Sequence, residues 1–155
     1  MLTIPSAIFS ALQAHGEAAY PNEGAGLLLG RVNGGDKAVV DILPLENRWN
    51  TEEQYHRYQI TPQDALHGEK EAMRRGLDVV GFFHSHPDHP AEPSAFDREW
   101  ATWPGYSYVI TTVEKGRATV SRSWLLKEDR SAFDEEPIQI GDPAVQGARS
   151  QQSTI

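Results

Sequence analysis

Apolar runs typical of β-strands alternate along the chain with short polar segments that favour turns. The first two runs, residues 24–32 and 37–45, are separated by Asn33-Gly34-Gly35-Asp36, whose residues accept positive φ at little cost, and this pattern predicts a hairpin. The run 77–83, which is apolar apart from Asp78, is typical of a buried strand. The remaining predicted strands are residues 106–114 and 117–126, joined by a turn at Lys115-Gly116, and an edge strand within 136–140.

Helical patterns occur in three segments, residues 5–19, 62–75 and 94–102. The second has the clearest boundaries, because Thr61-Pro62 favours a helix start and Gly76 favours a helix end. The polar and aromatic stretch 46–60 predicts only a short strand at its end. Helices placed between hairpins predict a mixed α/β fold.

Length, charge and hydropathy limit the number of domains, the binding partners and the location to be expected of this chain. A chain of 155 residues suits one domain, which we expect to occupy residues 1–140, followed by a polar, turn-rich tail over residues 141–155. The formal net charge of -8 argues against binding to nucleic acids or to an anionic membrane surface. No apolar run is long enough to cross a bilayer and no secretory signal pattern opens the chain, so the expected location is cytoplasmic.

The absence of cysteine excludes disulfides, iron–sulfur clusters, thiolate zinc sites and cysteine nucleophiles, so a metal would need histidine and carboxylate ligands. The stretch GFFHSHPDHPAEPSAFDREW, Gly81–Trp100, offers such ligands. Because successive side chains of a strand point to opposite faces, His84 and His86 project the same way, and the loop that follows is long enough to bring Asp97 back to them. Two imidazoles and a carboxylate are three of the four ligands of a catalytic zinc site, with one position left for water.

The same residues have ordinary interpretations. A His-x-His pair on its own is more often a pair of surface or core histidines, and Ser94-x-x-Asp97 is close to a capping box that starts helices. The capping and functional roles are compatible, because both residues lie at one end of the same helix. A zinc hydrolase also needs a carboxylate beside the metal that is not a ligand. Glu23, before a glycine-rich turn into an apolar strand, is the candidate, although alone it would more often be a solvated loop acid.

Together, PNEGAGLLLG and GFFHSHPDHPAEPSAFD resemble the JAMM (MPN+) metalloproteases, whose motif is a Glu, then H-S/T-H-P, then S-x-x-D after several residues. All five polar positions match, and the order of elements is similar over residues 1–140. The resemblance implies a cytidine-deaminase-like α/β sandwich, with a curved mixed β-sheet flanked by helices. It also implies that zinc is bound by His84, His86 and Asp97, that Glu23 moves a proton from water to the leaving amine, and that Ser94 hydrogen-bonds the oxyanion.

The resemblance further implies a substrate class. The segments in which eukaryotic deubiquitinating relatives carry ubiquitin-gripping loops are short here, so the chain resembles the compact prokaryotic type that acts on C-terminal tails of ubiquitin-like sulfur-carrier proteins. An extended Gly-Gly tail would suit a shallow groove beside the zinc by edge-strand addition. Ala25 stands where many relatives carry Cys, so redox control at that position is not implied. A homodimer through exposed edge strands is left open.

Three other functions are alternatives to a zinc isopeptidase. A non-catalytic scaffold of the same fold is disfavoured because such relatives usually lack zinc ligands or the Glu, and here none is missing. A cupin-like oxygenase could use Glu92, but it needs a later His and none follows His89. A DNA-repair-associated branch is disfavoured by the acidic charge. His89 and Glu92 are expected to be solvated loop residues, and three aromatic residues either line the substrate groove or pack the core: Trp49, Tyr55 and Tyr58.

Overall fold

The computed structural model describes residues 1–55 and 57–141. In order along the chain these residues form β1 (Leu2–Ile4), α1 (Ser6–Ala19), β2 (Ala25–Asn33), β3 (Asp36–Leu45), a short 3-10 helix (Thr51–Glu53), α2 (Pro62–Arg74), β4 (Asp78–Pro87), α3 (Ala95–Trp100), β5 (Ser107–Glu114), β6 (Arg117–Leu126), β7 (Phe133–Glu136) and β8 (Ile138–Ile140). No helix among these is both long and apolar enough to cross a membrane.

The strands of the described ranges form one mixed sheet in the order β7-β6-β5-β4-β2-β3-β1-β8. Both hairpins are antiparallel, β4 also runs antiparallel to β2, and β4 and β5 are parallel. The edge strands β7 and β8 are separated in the chain only by Pro137, whose carbonyl accepts the Leu2 N–H at 2.9 Å, so the curved sheet nearly closes on itself. The predicted α/β sandwich with a curved mixed sheet is confirmed.

Each face of the sheet is covered by a helix and has its own apolar cluster. On one face Leu12 of α1 packs in a cluster with Phe83, and on the other Ala72 of α2 packs in a cluster with Phe82. Consecutive residues enter different clusters because side chains alternate across a strand. This alternation also decides which face receives each residue that follows Phe83 in β4.

The local signals for turns and helix ends are confirmed. Thr61 Oγ1 accepts the Asp64 N–H at 3.1 Å and the Asp64 carboxylate accepts the Thr61 N–H at 3.2 Å, so α2 begins with a complete capping box. Gly76 follows the end of α2 at φ 70°, and Gly34 lies in the β2–β3 turn at φ 63°. Both conformations are easy for glycine and costly for other residues.

Other predictions were incomplete or wrong. The short strand predicted at the end of residues 46–60 does not form, and the segment 57–60 is fixed largely through a neighbouring loop. β1 was not predicted. The edge strand predicted within residues 136–140 is interrupted by Pro137, and β8 is the part of it that forms the expected edge strand. The predicted tail lies outside the described residues except for Gly141, whose N–H donates to the Ile4 carbonyl at 2.8 Å.

Candidate active site and metal centre

The two histidines lie within β4, which continues beyond the apolar run 77–83, so the strand alternation assumed for them is confirmed. β4 continues to Pro87 and pairs in parallel with β5, which places His84 opposite Ile110 and His86 opposite Thr112. His84 and His86 are 2% and 5% exposed, and their Nε2 atoms are 3.1 Å apart. Strand geometry therefore directs both imidazoles to one buried point, as the His-x-His spacing predicts.

Asp97 meets the histidines from the first turn of α3. Its Oδ2 lies 3.0 Å from His86 Nε2, and its Oδ1 lies 3.2 Å from His84 Nε2. The carboxylate is oriented by a capping box, because Asp97 Oδ2 accepts the Ser94 N–H at 2.8 Å while Ser94 Oγ accepts the Asp97 N–H at 3.1 Å. The cap that begins α3 thus also aims Asp97 at both rings.

The far sides of the two imidazoles are supported in different ways. His86 Nδ1 donates to the Pro90 carbonyl at 2.8 Å; since a carbonyl only accepts, Nδ1 carries a proton, and in the neutral ring the lone pair is then on Nε2, the nitrogen that faces the cluster. His84 Nδ1 is buried without a hydrogen-bond partner among the described residues, and its ring stacks on Tyr58 with centroids 4.4 Å apart and planes 24° apart. No signal in the sequence pointed to either contact.

Glu23 is brought to the histidines by main-chain contacts. It is 5% exposed, and its N–H donates to the Gln54 carbonyl at 2.6 Å. Ser85, which lies between the two histidines and faces the opposite side of the sheet, accepts the Gly24 N–H on Oγ at 2.8 Å and donates its own N–H to the Gly24 carbonyl at 3.0 Å. As a result one potential ligand atom each from Glu23, His84 and His86 lies within 4.8 Å of the other two.

The two carboxyl groups of the cluster have opposite proton affinities. Burial raises the pKa of Glu23 to about 8; Asp97 adds to the rise, while His86 and Arg57 oppose it. Burial acts in the same direction on Asp97, but there the charge and hydrogen bonds of the two imidazoles prevail and hold its pKa well below its usual range. Asp97 is therefore a fixed anion, whereas Glu23 can hold or release a proton near neutral pH.

The donor set fits a divalent metal ion. Two imidazole nitrogens that face each other at 3.1 Å repel when both present lone pairs, unless a proton or a cation lies between them. Glu23 Oε1 is also buried without a hydrogen-bond partner among the described residues, which is costly unless another group satisfies it. Two nitrogens with carboxylate oxygens are the ligands of zinc sites that retain an open position.

The cluster opens onto a cavity of about 400 Å³. Ser94 is exposed on its wall; its Oγ accepts a hydrogen bond within the cap, so the hydroxyl proton remains free to donate into the cavity. His89 and Glu92 also line the cavity with exposed side chains, as expected of loop residues. The complete lining consists of Glu23, His86, His89, Pro90, Glu92, Pro93, Ser94, Ala95 and Phe96.

A family model for prokaryotic homologs of the JAB domain matches residues 5–127. The chain belongs to this family. The JAMM/MPN resemblance carried by the two sequence stretches is thereby confirmed, and the matched range includes every residue of the buried cluster and both helices that flank the sheet.

This JAB-domain chain is similar in sequence to two proteins with functional names and in structure to a third. A desampylase of Haloferax volcanii is 41% identical over 73 residues, which cover 47% of this chain and 51% of that protein, so the chain spans about half the length of that relative. A probable TtuB-protein conjugate cleaving protease of Thermus thermophilus is 32% identical over 118 residues, covering 76% of this chain and 74% of that protein. A JAB1/MPN domain protein from Archaeoglobus fulgidus, 16% identical, has a TM-score of 0.58 over 92% of this chain and 98% of its own, which shows the shared fold.

Proposed function

We propose that this JAB-domain protein is a zinc-dependent hydrolase that cleaves the amide bond after the C-terminal glycine of a ubiquitin-like or sulfur-carrier protein. The observation that carries the proposal is the convergence of two histidines and two carboxyl groups in one buried cluster that opens onto a cavity. The names of the Haloferax and Thermus relatives, a desampylase and a probable conjugate-cleaving protease, support the substrate class.

Zinc would be held by His84, His86 and Asp97. The Asp97 oxygens lie 3.0 and 3.2 Å from the two Nε2 atoms, so these three side chains surround one point that an ion could occupy. When bound, zinc would polarise the scissile carbonyl and lower the pKa of a coordinated water to about 7.

Glu23 would act as base and then as acid. Its Oε1 is buried, lacks a hydrogen-bond partner among the described residues, and belongs to a carboxyl whose pKa is raised by burial to about 8, so it can accept a proton from water and return it to the leaving amine. A positioned acid–base group contributes about 10²- to 10⁴-fold in rate. Glu23 is thus the residue whose loss should stop turnover without removing the metal.

Ser94 would stabilise the oxyanion. The α3 cap fixes its main chain and uses its Oγ only as an acceptor, which leaves one hydroxyl proton to donate to a negatively charged oxygen in the cavity. One such donor is worth about 10²- to 10³-fold in kcat.

The surroundings suit an extended tail that ends in small residues. A second, largely apolar cavity of about 350 Å³ is lined by Tyr58 together with Ile60, Phe82 and Trp103 among others. A tail that runs past Tyr58 toward Glu23 would place its preceding side chains over this cavity. Its terminal glycines, which have no side chains, would enter the crowded space next to Phe96 and His84.

The test uses a ubiquitin-like protein ending in Gly-Gly, joined either to a C-terminal extension or to a lysine side chain of a second protein. Zinc-loaded wild type is expected to cleave at least one of these, and Glu23→Gln to be slower by about 10²-fold or more. Glu114→Gln, an equivalent change at an exposed position of β5, serves as the control and should match wild type. Equal rates for Glu23→Gln and wild type would refute the assignment of the base, and no cleavage of either substrate would favour the non-catalytic scaffold.

A further inference from the structure

Two parts of the proposed site lie on loops and not on the sheet. Glu23 precedes β2, and Tyr58, which stacks on His84, lies in the extended segment 57–60 that joins no strand ladder. Loops are mobile unless their backbone groups are tied down. The position of Glu23 relative to the His84 ring therefore depends on whatever connects these two loops.

The side-chain amide of Asn47 makes that connection. Its Nδ2 donates to the Glu23 carbonyl at 3.0 Å and to the Arg57 carbonyl at 2.9 Å. Its Oδ1 accepts the Trp49 N–H at 3.0 Å and the Gln59 N–H at 3.2 Å. Both amide protons and both lone pairs are used, so one side chain holds the main chain of Glu23 and both residues that flank Tyr58.

Asn47 is itself held in place by its own loop. Gln54 Nε2 donates to the Asn47 carbonyl at 3.2 Å and to the Trp49 carbonyl at 2.8 Å, and the Gln54 carbonyl accepts the Glu23 N–H at 2.6 Å. The Asn47 amide therefore projects from a loop whose main chain is itself fixed by hydrogen bonds. An aspartate at this position would lack the two donors and the longer side chain of a glutamine would misplace them, so the pattern of bonds requires asparagine.

We propose that Asn47 is a positioning residue that fixes Glu23 against the His84 ring by tying the Glu23 main chain to the segment that carries Tyr58. The catalytic consequence rests on the proposed function, but the structural connection does not. Asn47 does not itself line the cavity and is not a proposed zinc ligand, and so it acts on the rate through Glu23 and Tyr58 while the metal remains bound.

Asn47→Asp is the sharpest test, because it keeps the size and the accepting oxygen of the side chain. The donating NH2 group is replaced by a carboxylate oxygen, which repels the two carbonyl oxygens that it faces. We expect kcat to fall by about 10- to 100-fold, since small misplacement of a reacting group is costly, while KM changes by less than about threefold. Zinc content should equal that of wild type. Asn47→Ala, which removes the bonds without repulsion, should change kcat in the same direction and replaces Asn47→Asp if the latter does not fold.

Asn50→Asp is the matched control. It makes the same substitution in the same loop at an exposed position, and it keeps the side-chain oxygen that accepts the Glu52 N–H at 3.1 Å. Within the described residues the Asn50 side chain bonds to neither Glu23 nor segment 57–60. We expect its kcat to stay within about threefold of wild type. Equal losses of kcat in Asn50→Asp and Asn47→Asp would mean that a new charge anywhere in the loop has this effect, and would overturn the proposal.

A spectroscopic measurement on the zinc-free protein separates this inference from the proposed function. The stacked Tyr58 ring shifts the NMR signals of the His84 ring protons, and Asn47→Asp is expected to move those signals toward unstacked values while Asn50→Asp leaves them in place. This result does not depend on any substrate. If wild type proves inactive, the proposed function fails but the connection is still decided by the spectra. Unchanged His84 signals in Asn47→Asp would overturn the connection even if wild type is an active hydrolase.

Discussion

Replacing Glu23 with Gln is expected to remove a pH-dependent loss of stability from the zinc-free protein. Glu23 is 5% exposed, and burial raises its pKa from 4.5 to about 8. Because the folded protein holds this proton more tightly than the unfolded chain, the carboxyl contributes stability that is fully present below pH 4.5 and is lost as the pH rises to 8. Each pH unit in that window costs about 1.4 kcal/mol, or roughly 5 kcal/mol in total.

That total is large beside the roughly 5–15 kcal/mol by which a domain is usually stable. The assay is urea unfolding of chelator-treated protein, followed by the fluorescence of the 4 tryptophans at several pH values across the window. The free energy of unfolding of wild type should fall with rising pH relative to that of Glu23→Gln. Glu114→Gln, at an exposed position, should follow wild type. If the free energy of unfolding of wild type and of Glu23→Gln changed with pH in parallel, the conclusion that burial raises the pKa of Glu23 would be refuted.

Substitutions at three further positions test the metal ligand, the oxyanion donor and the strand that carries the histidines. Asp97→Asn should lose zinc and hydrolysis together, as measured by elemental mass spectrometry and by cleavage, because Asp97 contacts both imidazoles; zinc retained at the wild-type level would exclude it as a ligand. Ser94→Ala should keep its zinc but lose about 10²- to 10³-fold in kcat, and Ser94→Thr should recover most of it; a Ser94→Ala enzyme with wild-type kcat would remove Ser94 from the mechanism. Gly81→Ala should destabilise the fold by more than about 2 kcal/mol in urea unfolding, because its Cβ would lie 2.2 Å from the Ser107 carbonyl oxygen of β5, and wild-type stability would contradict this packing.

Residues placed by local periodicity could be predicted from the sequence. The alternation of a strand puts His84 and His86 on one face, and the Ser94-x-x-Asp97 pattern begins a helix in the structure just as capping chemistry predicts. Glu23 is different, because nothing local distinguishes it from a solvated acid. Its burial comes from contacts of its turn with Ser85 and Gln54, both distant in sequence, so its place before a glycine-rich turn made it only a candidate and the family resemblance supplied the stronger reason.

The missed features depend on contacts between distant segments. β1 has 3 residues and exists because it pairs in parallel with β3 and β8, a partnership with no local signal. The predicted strand near Tyr58 failed because its main-chain groups are satisfied in part by the side chain of Asn47 and not by a ladder. The stacking of Tyr58 on His84 follows from the same connection. An isolated loop asparagine offers no periodicity from which this role could be predicted.

The most direct test of a zinc centre is the metal content of the purified protein, measured by elemental mass spectrometry for wild type, His84→Ala and Glu23→Gln. The measurement requires no knowledge of the substrate. We expect about one zinc per chain in wild type and in Glu23→Gln and none in His84→Ala, because in the proposed site two nitrogens and one carboxylate would hold the ion and Glu23 would only move protons. Wild-type protein that binds no metal even after zinc is supplied would contradict the proposed hydrolase.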